Sequence, residues 1–284
     1  MGILAKFAGI IVKKHEYVNN DCDVAFSGIV DSRGNELTAR YPNEYVIRDD
    51  GLYRLSDGEL KRVGKDIEVW GLRHKSVEQR CAIDALMNDN IRLVTISGKA
   101  GTGKTLLAIA AGLEKVTNDN VYRKLLVSRP IVPMGQDLGY LPGTVEEKLG
   151  PWMKPIFDNI DFLFTGQNMK GTGSYWGDLV RQGLLEMEAL TYIRGRSIPY
   201  QYIIIDEAQN LTKHEVKTII SRAGEGTKII MTGDVNQIDN PKLDSINNGL
   251  SYVIDKFKDQ PIAAHISFSK CERSELADVA SEIL

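Results

Sequence analysis

Two hydrophobic patterns divide the chain near residue 71. Before this point, short runs of alternating apolar and polar residues are separated by turn signals such as Asp49-Asp50-Gly51, and this pattern predicts short antiparallel strands. After it, apolar runs alternate with segments of helical spacing, which predicts a parallel sheet with helices on both faces. We therefore predict a small β-rich domain over residues 1–71 and an α/β domain over residues 72–284.

Individual strands and helices can be assigned within the α/β pattern. The predicted strands are Arg92–Ser97, Lys124–Ser128, Ala189–Arg194, Tyr202–Asp206, Lys228–Thr232 and Ile262–Phe268. The predicted helices are Thr105–Val116, Val145–Asn159, Lys213–Ala223, Ile246–Phe257 and Ser274–Leu284. Ligands of such sheets bind beyond the carboxyl ends of the strands. The polar residues that follow each strand are therefore candidates for a functional site.

A glycine-rich loop follows the first of these strands and leads into the first of these helices. Its residues, which fit the pattern G-x-x-x-x-G-K-[ST], are Gly98, Lys99, Ala100, Gly101, Thr102, Gly103, Lys104 and Thr105. The glycines let backbone N–H groups surround phosphate oxygens, Lys104 neutralises charge on the β- and γ-phosphates, and the Thr105 hydroxyl ligates Mg²⁺. In this context the loop predicts a nucleoside triphosphate site that takes ATP and Mg²⁺.

Two adjacent carboxylates, Asp206 and Glu207, end another predicted strand. Because side chains alternate across a strand, the two acids are expected to do different jobs. We expect Asp206 to hold the water shell of Mg²⁺ and Glu207 to polarise the attacking water beside the γ-phosphate. Taken alone, such a pair fits a helix N-cap and its first-turn acid equally well. The glycine-rich loop upstream favours the hydrolytic interpretation.

Three further residues are candidates by position. Gln237, which follows the strand predicted over 228–232, is a candidate sensor of the γ-phosphate, and the alternative is an ordinary Gly-Asp turn. Gln79, on an amphipathic run upstream of the loop, is a candidate reader of adenine, because an amide pairs with both a donor and an acceptor; the alternative is an exposed helix residue. Arg273 follows the last strand and is a candidate arginine finger, or else an ordinary surface arginine.

Composition limits the partners and the compartment. The chain has 35 basic and 38 acidic residues and a net charge of -3, so a nucleic acid would have to bind in a local groove. Its three cysteines, Cys22, Cys81 and Cys271, fit neither a disulfide framework nor a zinc site, which favours the reducing cytoplasm. We expect no contact with a membrane, because no run approaches the roughly 18 apolar residues that span a bilayer.

Together these segments resemble the PhoH-like ATPase family from about residue 72 to the end. Beyond the glycine-rich loop, the matching segments are SRPIVPMGQDLGYLPGTVEEKLGPWMKPIFDN at 128–159, DEAQN at 206–210 and TGDVNQ at 232–237. The resemblance implies a RecA-like P-loop NTPase core, related to superfamily 1 helicases, with the roles assigned above. It also implies a homo-oligomeric ring, a hexamer in the family, in which Arg273 acts on a neighbouring subunit's site; an arginine acting in cis is the alternative.

Two functions stay open at this point. One is ATP hydrolysis by a ring, coupled to binding or remodelling of RNA or single-stranded DNA. The candidate path for the nucleic acid is formed by the loop over 129–143, Arg194 and Arg196; alternatively, this loop packs at a subunit interface. The other is an ATP-controlled assembly module that recruits a separately encoded nuclease or another partner. A small-molecule kinase fits less well, because kinases exclude the water that Glu207 would activate. Longer relatives carry an N-terminal PIN ribonuclease domain, for which residues 1–71 are too short, so nuclease activity is not expected.

Overall fold

A sheet of four short strands comes first in the part of the chain that the structure describes. The computed structural model describes residues 26–34, 38–131, 145–166, 175–190 and 197–269. The N-terminal strands are β1 (Ile29–Asp31), β2 (Tyr45–Arg48), β3 (Gly51–Ser56) and β4 (Glu59–Arg62), followed by a hairpin of β5 (Glu68–Val69) and β6 (Leu72–Arg73). As predicted, β2, β3 and β4 pair antiparallel. The prediction is wrong for β1, which pairs with β2 in parallel, because the connection between them is long enough for a crossover.

A six-stranded parallel sheet lies at the centre of the α/β part. Its strands are β7 (Leu93–Gly98), β8 (Lys124–Arg129), β9 (Leu185–Ala189), β10 (Gln201–Ile205), β11 (Lys228–Gly233) and β12 (Ala263–Phe268). Across the sheet their order is β12-β7-β11-β10-β8-β9. The strand before the glycine-rich loop, β7, is therefore separated from β10, the strand before Asp206, by β11.

Helices cover both faces of this sheet. They are α1 (Val77–Met87), α2 (Lys104–Leu113), which continues as a π-helical turn (Glu114–Asn118), α3 (Val145–Gly166), α4 (Tyr175–Arg181), a 3₁₀ turn (Ala208–Asn210), α5 (Lys213–Ile220) and α6 (Gly249–Phe257). Along β10, Tyr202 and Ile204 pack in the core cluster that contains α1, α2 and α3, whereas Ile203 and Ile205 pack in the cluster of α5 and α6. This alternation gives three layers and confirms the predicted RecA-like P-loop core. Among the helices that the structure describes, none combines the length and the apolar composition of a membrane span.

The prediction was wrong for one strand of the sheet. The strand that pairs with β8 is β9 at Leu185–Ala189, which shares only Ala189 with the strand predicted over 189–194; residues 191–194 lie outside the described residues. The prediction relied on a continuous apolar run, which is typical of central parallel strands. As an edge strand β9 instead alternates: Leu185 and Met187 belong to a core cluster, while Glu186 pairs with Lys124. The helix predicted over 274–284 lies outside the described residues.

The N-terminal strands share a hydrophobic core with the α/β part. One buried cluster combines residues of α1 and α2 with side chains from the N-terminal part. These side chains are Tyr45, Leu52, Val63, Val69 and Trp70. The boundary predicted at residue 71 falls inside the β5–β6 hairpin, in which Val69 pairs with Leu72. The division into two domains stays a prediction, but a cut at this position would expose apolar surface.

Asp84 of α1 links this shared core to the N-terminal sheet. Its Oδ2 accepts hydrogen bonds of 2.8 Å from the Tyr45 hydroxyl and from Nε of Arg54. Arg54 also donates to Oδ1 of Asn43 at 2.7 Å, and Asn43 donates to the backbone oxygen of Ala263 at 2.9 Å. The side chains of Arg54 and Asp84 are only 12% and 22% exposed. The pair therefore lies in an environment where losing one partner is costly.

We expect Asp84→Ala to lower the free energy of unfolding by about 3 kcal/mol, the scale for a buried pair that loses one partner. Arg54 would keep a buried charge without its carboxylate, and Tyr45 would lose its acceptor. Urea denaturation measures the change. Glu68→Ala is the matched control, because its pair with Arg73 is exposed on both sides and such pairs contribute little. Equal midpoints for the Asp84 variant and the unmodified protein would contradict the prediction.

Candidate nucleotide-binding and hydrolytic site

The carboxyl ends of four neighbouring strands lie at one level of the sheet. Ile205 of β10 is in register with Met231 of β11 and Ser128 of β8, and Gly233 of β11 is in register with Ser97 of β7. The residues that directly follow these positions therefore start from one edge. They include the glycine-rich loop, Asp206 with Glu207, and the turn that leads to Gln237.

The glycine-rich loop has the backbone conformation that phosphate binding requires. Gly98, Gly101 and Gly103 have φ values of 150°, 80° and 86°, which L-residues with side chains rarely adopt. A Cβ at Gly98 would also lie 2.6 Å from the backbone oxygen of Phe268 in β12. The loop ends at Lys104, where α2 begins, and the first N–H groups of a helix attract phosphate. The predicted strand–loop–helix arrangement is confirmed.

Lys104 lies inside this loop. Its Nζ donates hydrogen bonds to the backbone oxygens of Gly98 at 2.6 Å and Lys99 at 2.8 Å, and the residue is only 8% exposed. The loop therefore encloses a buried ammonium group. Phosphate oxygens are strong acceptors for such a group, so a polyphosphate in the loop would compete with the two carbonyls. Its role as a phosphate ligand stays a prediction.

Asp206 is the centre of a small network of hydroxyl groups. Its Oδ1 accepts hydrogen bonds from the hydroxyls of Thr105 at 2.7 Å and Thr232 at 2.6 Å, and the residue is 5% exposed. One carboxylate and one hydroxyl from the protein, completed by phosphate oxygens and water, are a typical ligand set for Mg²⁺. The donor set of Thr105 and Asp206 therefore fits the predicted metal.

Glu207 begins the 3₁₀ turn in a left-handed conformation, with φ of 53°, which is uncommon for a residue with a side chain. Its Oε1 lies 3.2 Å from Nη2 of Arg129, and its Oε2 accepts a hydrogen bond of 2.6 Å from Gln209. Burial and the neighbouring Asp206 raise the pKa of Glu207, whereas Gln209, Arg129 and Lys104 oppose the rise. The net shift of this pKa is upward, as suits a group that accepts a proton.

Gln209 connects Glu207 to the segment that contains Gln237. Besides Glu207, its Nε2 donates to the backbone oxygen of Gln237 at 2.9 Å, and its Oε1 accepts from the N–H of Asp234 at 3.2 Å. The side chain is fully buried. It packs against Gly233, where a Cβ would lie 2.2 Å from Oε1 of Gln209. The candidate base and the candidate sensor are therefore joined by one buried amide.

Gln79 lies behind the glycine-rich loop. Its Nε2 is 3.3 Å from the backbone oxygen of Thr102, and its Oε1 accepts from the N–H of Lys75 at 2.8 Å. Both ends of the amide contact the protein itself, and the residue is 7% exposed. The interpretation as an exposed helix residue is therefore wrong. The adenine-reading role stays a prediction.

Three residues of this site were not predicted as parts of it. Thr232 and Gln209 lie within the segments TGDVNQ and DEAQN, and Arg129 was considered only as the start of a loop. A signal existed for each: all three are polar and stand at or just after the end of an apolar strand. Of the other candidates, Arg194, Arg196, Arg273 and residues 132–143 lie outside the described residues.

A family model described as "PhoH-like protein" matches residues 71–283. Among solved structures, the large terminase from a thermophilic bacteriophage covers 73% of this chain and 49% of its own, with a TM-score of 0.48 and 10% identity. The Pif1 helicase from Candida albicans covers 74% of this chain and 43% of its own, with a TM-score of 0.37 and 15% identity. Likenesses at this level do not bear on function.

Curated relatives match most of the chain at much higher identity. "Protein PhoH2" from Bacillus subtilis (strain 168) is 53% identical over 256 residues, which are 87% of this chain and 57% of that protein. "Protein PhoH2" from Mycolicibacterium smegmatis is 40% identical over 80% of this chain and 50% of its own length. The chain thus spans about half the length of the curated relatives it matches. With the family match over residues 71–283, these relatives show that the chain belongs to the PhoH-like protein family.

Proposed function

We propose that the chain hydrolyses ATP to ADP and phosphate, with Mg²⁺ as cofactor. One observation carries this proposal: Glu207, which is half-buried, lies directly after Asp206. The Oδ1 of Asp206 accepts a hydrogen bond of 2.7 Å from the Thr105 hydroxyl. A group that can take a proton from water is thus adjacent to the residues that fit Mg²⁺ and the glycine-rich loop. A site that only bound nucleotide would not need such a group.

Each residue has a role in this reaction. The loop N–H groups and Lys104 hold the β- and γ-phosphates, which keeps the γ-phosphorus in place for attack. Thr105 and Asp206 would hold Mg²⁺, which when bound neutralises charge on the phosphate oxygens. Glu207 orients the attacking water and accepts its proton. Because Gln209 joins Glu207 to the segment of Gln237, loss of the γ-phosphate can change the turn that follows β11.

We further propose that hydrolysis is coupled to RNA or single-stranded DNA in a homo-oligomeric ring. Membership of the PhoH-like family supports a ring, in which Arg273 would reach a neighbouring site. The contact of Glu207 with Arg129 supports coupling to a nucleic acid, since Arg129 begins the segment over 129–143. This segment is the candidate path for single-stranded nucleic acid. The low net charge of -3 is consistent with a local groove and not with a broad basic surface.

We expect single-stranded RNA to raise ATP turnover by about fivefold or more, the scale of an ordinary coupling between two sites. Phosphate release is measured at moderate salt with and without RNA, and light scattering of the same samples with an ATP analogue gives the oligomeric mass. Dextran sulfate, a polyanion without phosphate groups, is the control for general attraction of anions. Unchanged turnover with every polynucleotide would remove the coupling, and a monomeric mass in all samples would remove the ring.

A second function, ATP-controlled assembly with a separately encoded nuclease or another partner, is favoured by one observation. Helix α1 contacts both the glycine-rich loop, through Gln79 and Thr102, and the N-terminal sheet, through Asp84 and Tyr45. A change at the loop can therefore reach the N-terminal strands. Turnover that ignores RNA, together with ATP-dependent capture of a purified nuclease, would favour this function over the first.

A further inference from the structure

The contact between Arg129 and Glu207 crosses from one strand end to the next. Arg129 is the last residue of β8, and Glu207 follows β10. Their side chains are 21% and 32% exposed, and the nitrogen and oxygen are 3.2 Å apart. The contact is a single hydrogen bond in a half-buried setting, strong enough to orient a carboxylate and weak enough to exchange.

This contact is not needed to join the two strands. β8 and β10 already pair over five residues, from Gln201 with Lys124 to Ile205 with Ser128. The N–H of Asp206 continues the ladder with a hydrogen bond of 2.9 Å to the backbone oxygen of Ser128. Arg129 therefore adds nothing essential to strand pairing. What it fixes is the direction of the Glu207 side chain.

Both oxygens of this carboxylate have a donor in the structure. Arg129 donates to Oε1, on the side of β8, and Gln209 donates to Oε2. The strand order places β8 on one side of β10, and β11 with β7 and its loop on the other, so a water beside a bound γ-phosphate would lie on the side opposite to β8. While Arg129 and Gln209 donate to Oε1 and Oε2, both oxygens of the carboxylate are engaged, and Arg129 must move before Oε1 is free to accept from a water.

We propose that Arg129 restrains Glu207 and releases it when a backbone phosphate of a single-stranded nucleic acid draws the guanidinium away. This inference rests on the proposed hydrolysis of ATP and on its proposed coupling to a single-stranded nucleic acid. The planar guanidinium binds phosphate at least as well as carboxylate, so the exchange needs no other change in the site. The strand that carries Arg129, β8, is separated from β7 and the glycine-rich loop by β10 and β11, which favours a phosphate from outside the nucleotide site as the competing group. Arg129 is thus a positioning residue that makes ATP turnover depend on the bound nucleic acid.

The test compares Arg129→Gln with the unmodified chain, with and without single-stranded RNA. Without RNA, kcat of the variant is expected to be about threefold to fivefold higher, the scale of a half-exposed ion pair, with KM for ATP unchanged. Added RNA should then raise its rate little. Arg129→Lys keeps a positive charge and should retain a low basal rate and stimulation by RNA. Arg123→Gln is the matched control: Arg123 precedes the same strand at its other end and lies over the Tyr200 ring, so both rates should be unchanged.

The outcomes separate the inference from the proposed function. If the unmodified chain hydrolyses ATP and Arg129→Gln is no faster without RNA, the restraint is wrong and the hydrolytic function stands. If Arg129→Gln is faster without RNA but is still fully stimulated by RNA, the inference is also overturned, because the RNA would then act through another residue. If Arg129→Gln hydrolyses ATP and the unmodified chain does not, the restraint in the unmodified chain is complete, which supports the inference. Hydrolysis by neither protein would overturn the proposed function itself.

Discussion

Glu207→Gln is expected to reduce ATP turnover by on the order of 10²-fold or more, the scale of a general-base contribution, while binding of Mg²⁺ and ATP is retained. Glutamine has nearly the same shape and one acceptor oxygen, so Arg129 keeps its acceptor, whereas Gln209 loses one of its two acceptors and keeps the backbone oxygen of Gln237. What is lost is a group that can take a proton from water. Single-turnover phosphate release measures the chemical step, and titration calorimetry with a non-hydrolysable analogue measures binding.

Glu225→Gln is the control for this experiment. Glu225 is an exposed acid just before β11, at the opposite edge of the sheet from the nucleotide, and its removal should leave both quantities unchanged. Normal turnover in the Glu207 variant would overturn the assignment of the base. Loss of binding together with turnover would mean that the carboxylate maintains the site and does not act on water.

Local features of this site could be predicted from the sequence, because each is encoded in a few consecutive residues. The glycine-rich loop needs only three glycines at fixed spacing, which take the positive φ values that the loop requires. The acids at 206 and 207 could be predicted as site residues because they directly follow an apolar strand. The strands β7, β8, β10, β11 and β12 were predicted to within a residue or two for a similar reason, since buried parallel strands are continuous apolar runs.

The contacts between these local features could not be predicted, because they depend on the order of the strands. Thr232 donates to Asp206 only because β11 lies between β7 and β10, and no local pattern contains that order. Gln209 reaches both Glu207 and the Gln237 backbone because Glu207 is left-handed, a conformation that sequence seldom reveals outside glycine and asparagine.

The packing of the N-terminal strands against the α/β part is a second contact that could not be predicted from the sequence. Alternation within β2 and β3 predicts a half-buried sheet, but not the surface that covers it. In the structure that surface is α1, through the buried cluster and the Asp84 contacts. A pattern of short strands therefore indicates that a face is buried, whereas the partner of that face is set by tertiary packing.

Lys104→Ala is expected to weaken binding of an ATP analogue by on the order of 10²-fold, the scale for removing one partner of a buried charge pair. The ammonium is already enclosed by the carbonyls of Gly98 and Lys99, so binding exchanges these neutral acceptors for charged phosphate oxygens. Because Lys104 is expected to contact both the β- and γ-phosphates, ATP should lose more affinity than ADP. Titration calorimetry with the ATP analogue and with ADP measures both losses.

The difference between the two nucleotides is the decisive part of this prediction. Removal of Lys104 also removes its hydrogen bonds to Gly98, Lys99 and Thr102 within the loop, so some loss of affinity is expected from the loop alone. Such a loss would be equal for ATP and ADP, because it does not depend on the γ-phosphate. Lys217→Ala, a change on the exposed face of α5, should leave both affinities unchanged. If Lys104→Ala loses the same affinity for ATP and for ADP, the role of this lysine is to stabilise the loop. A contact with the γ-phosphate would then have to come from another residue.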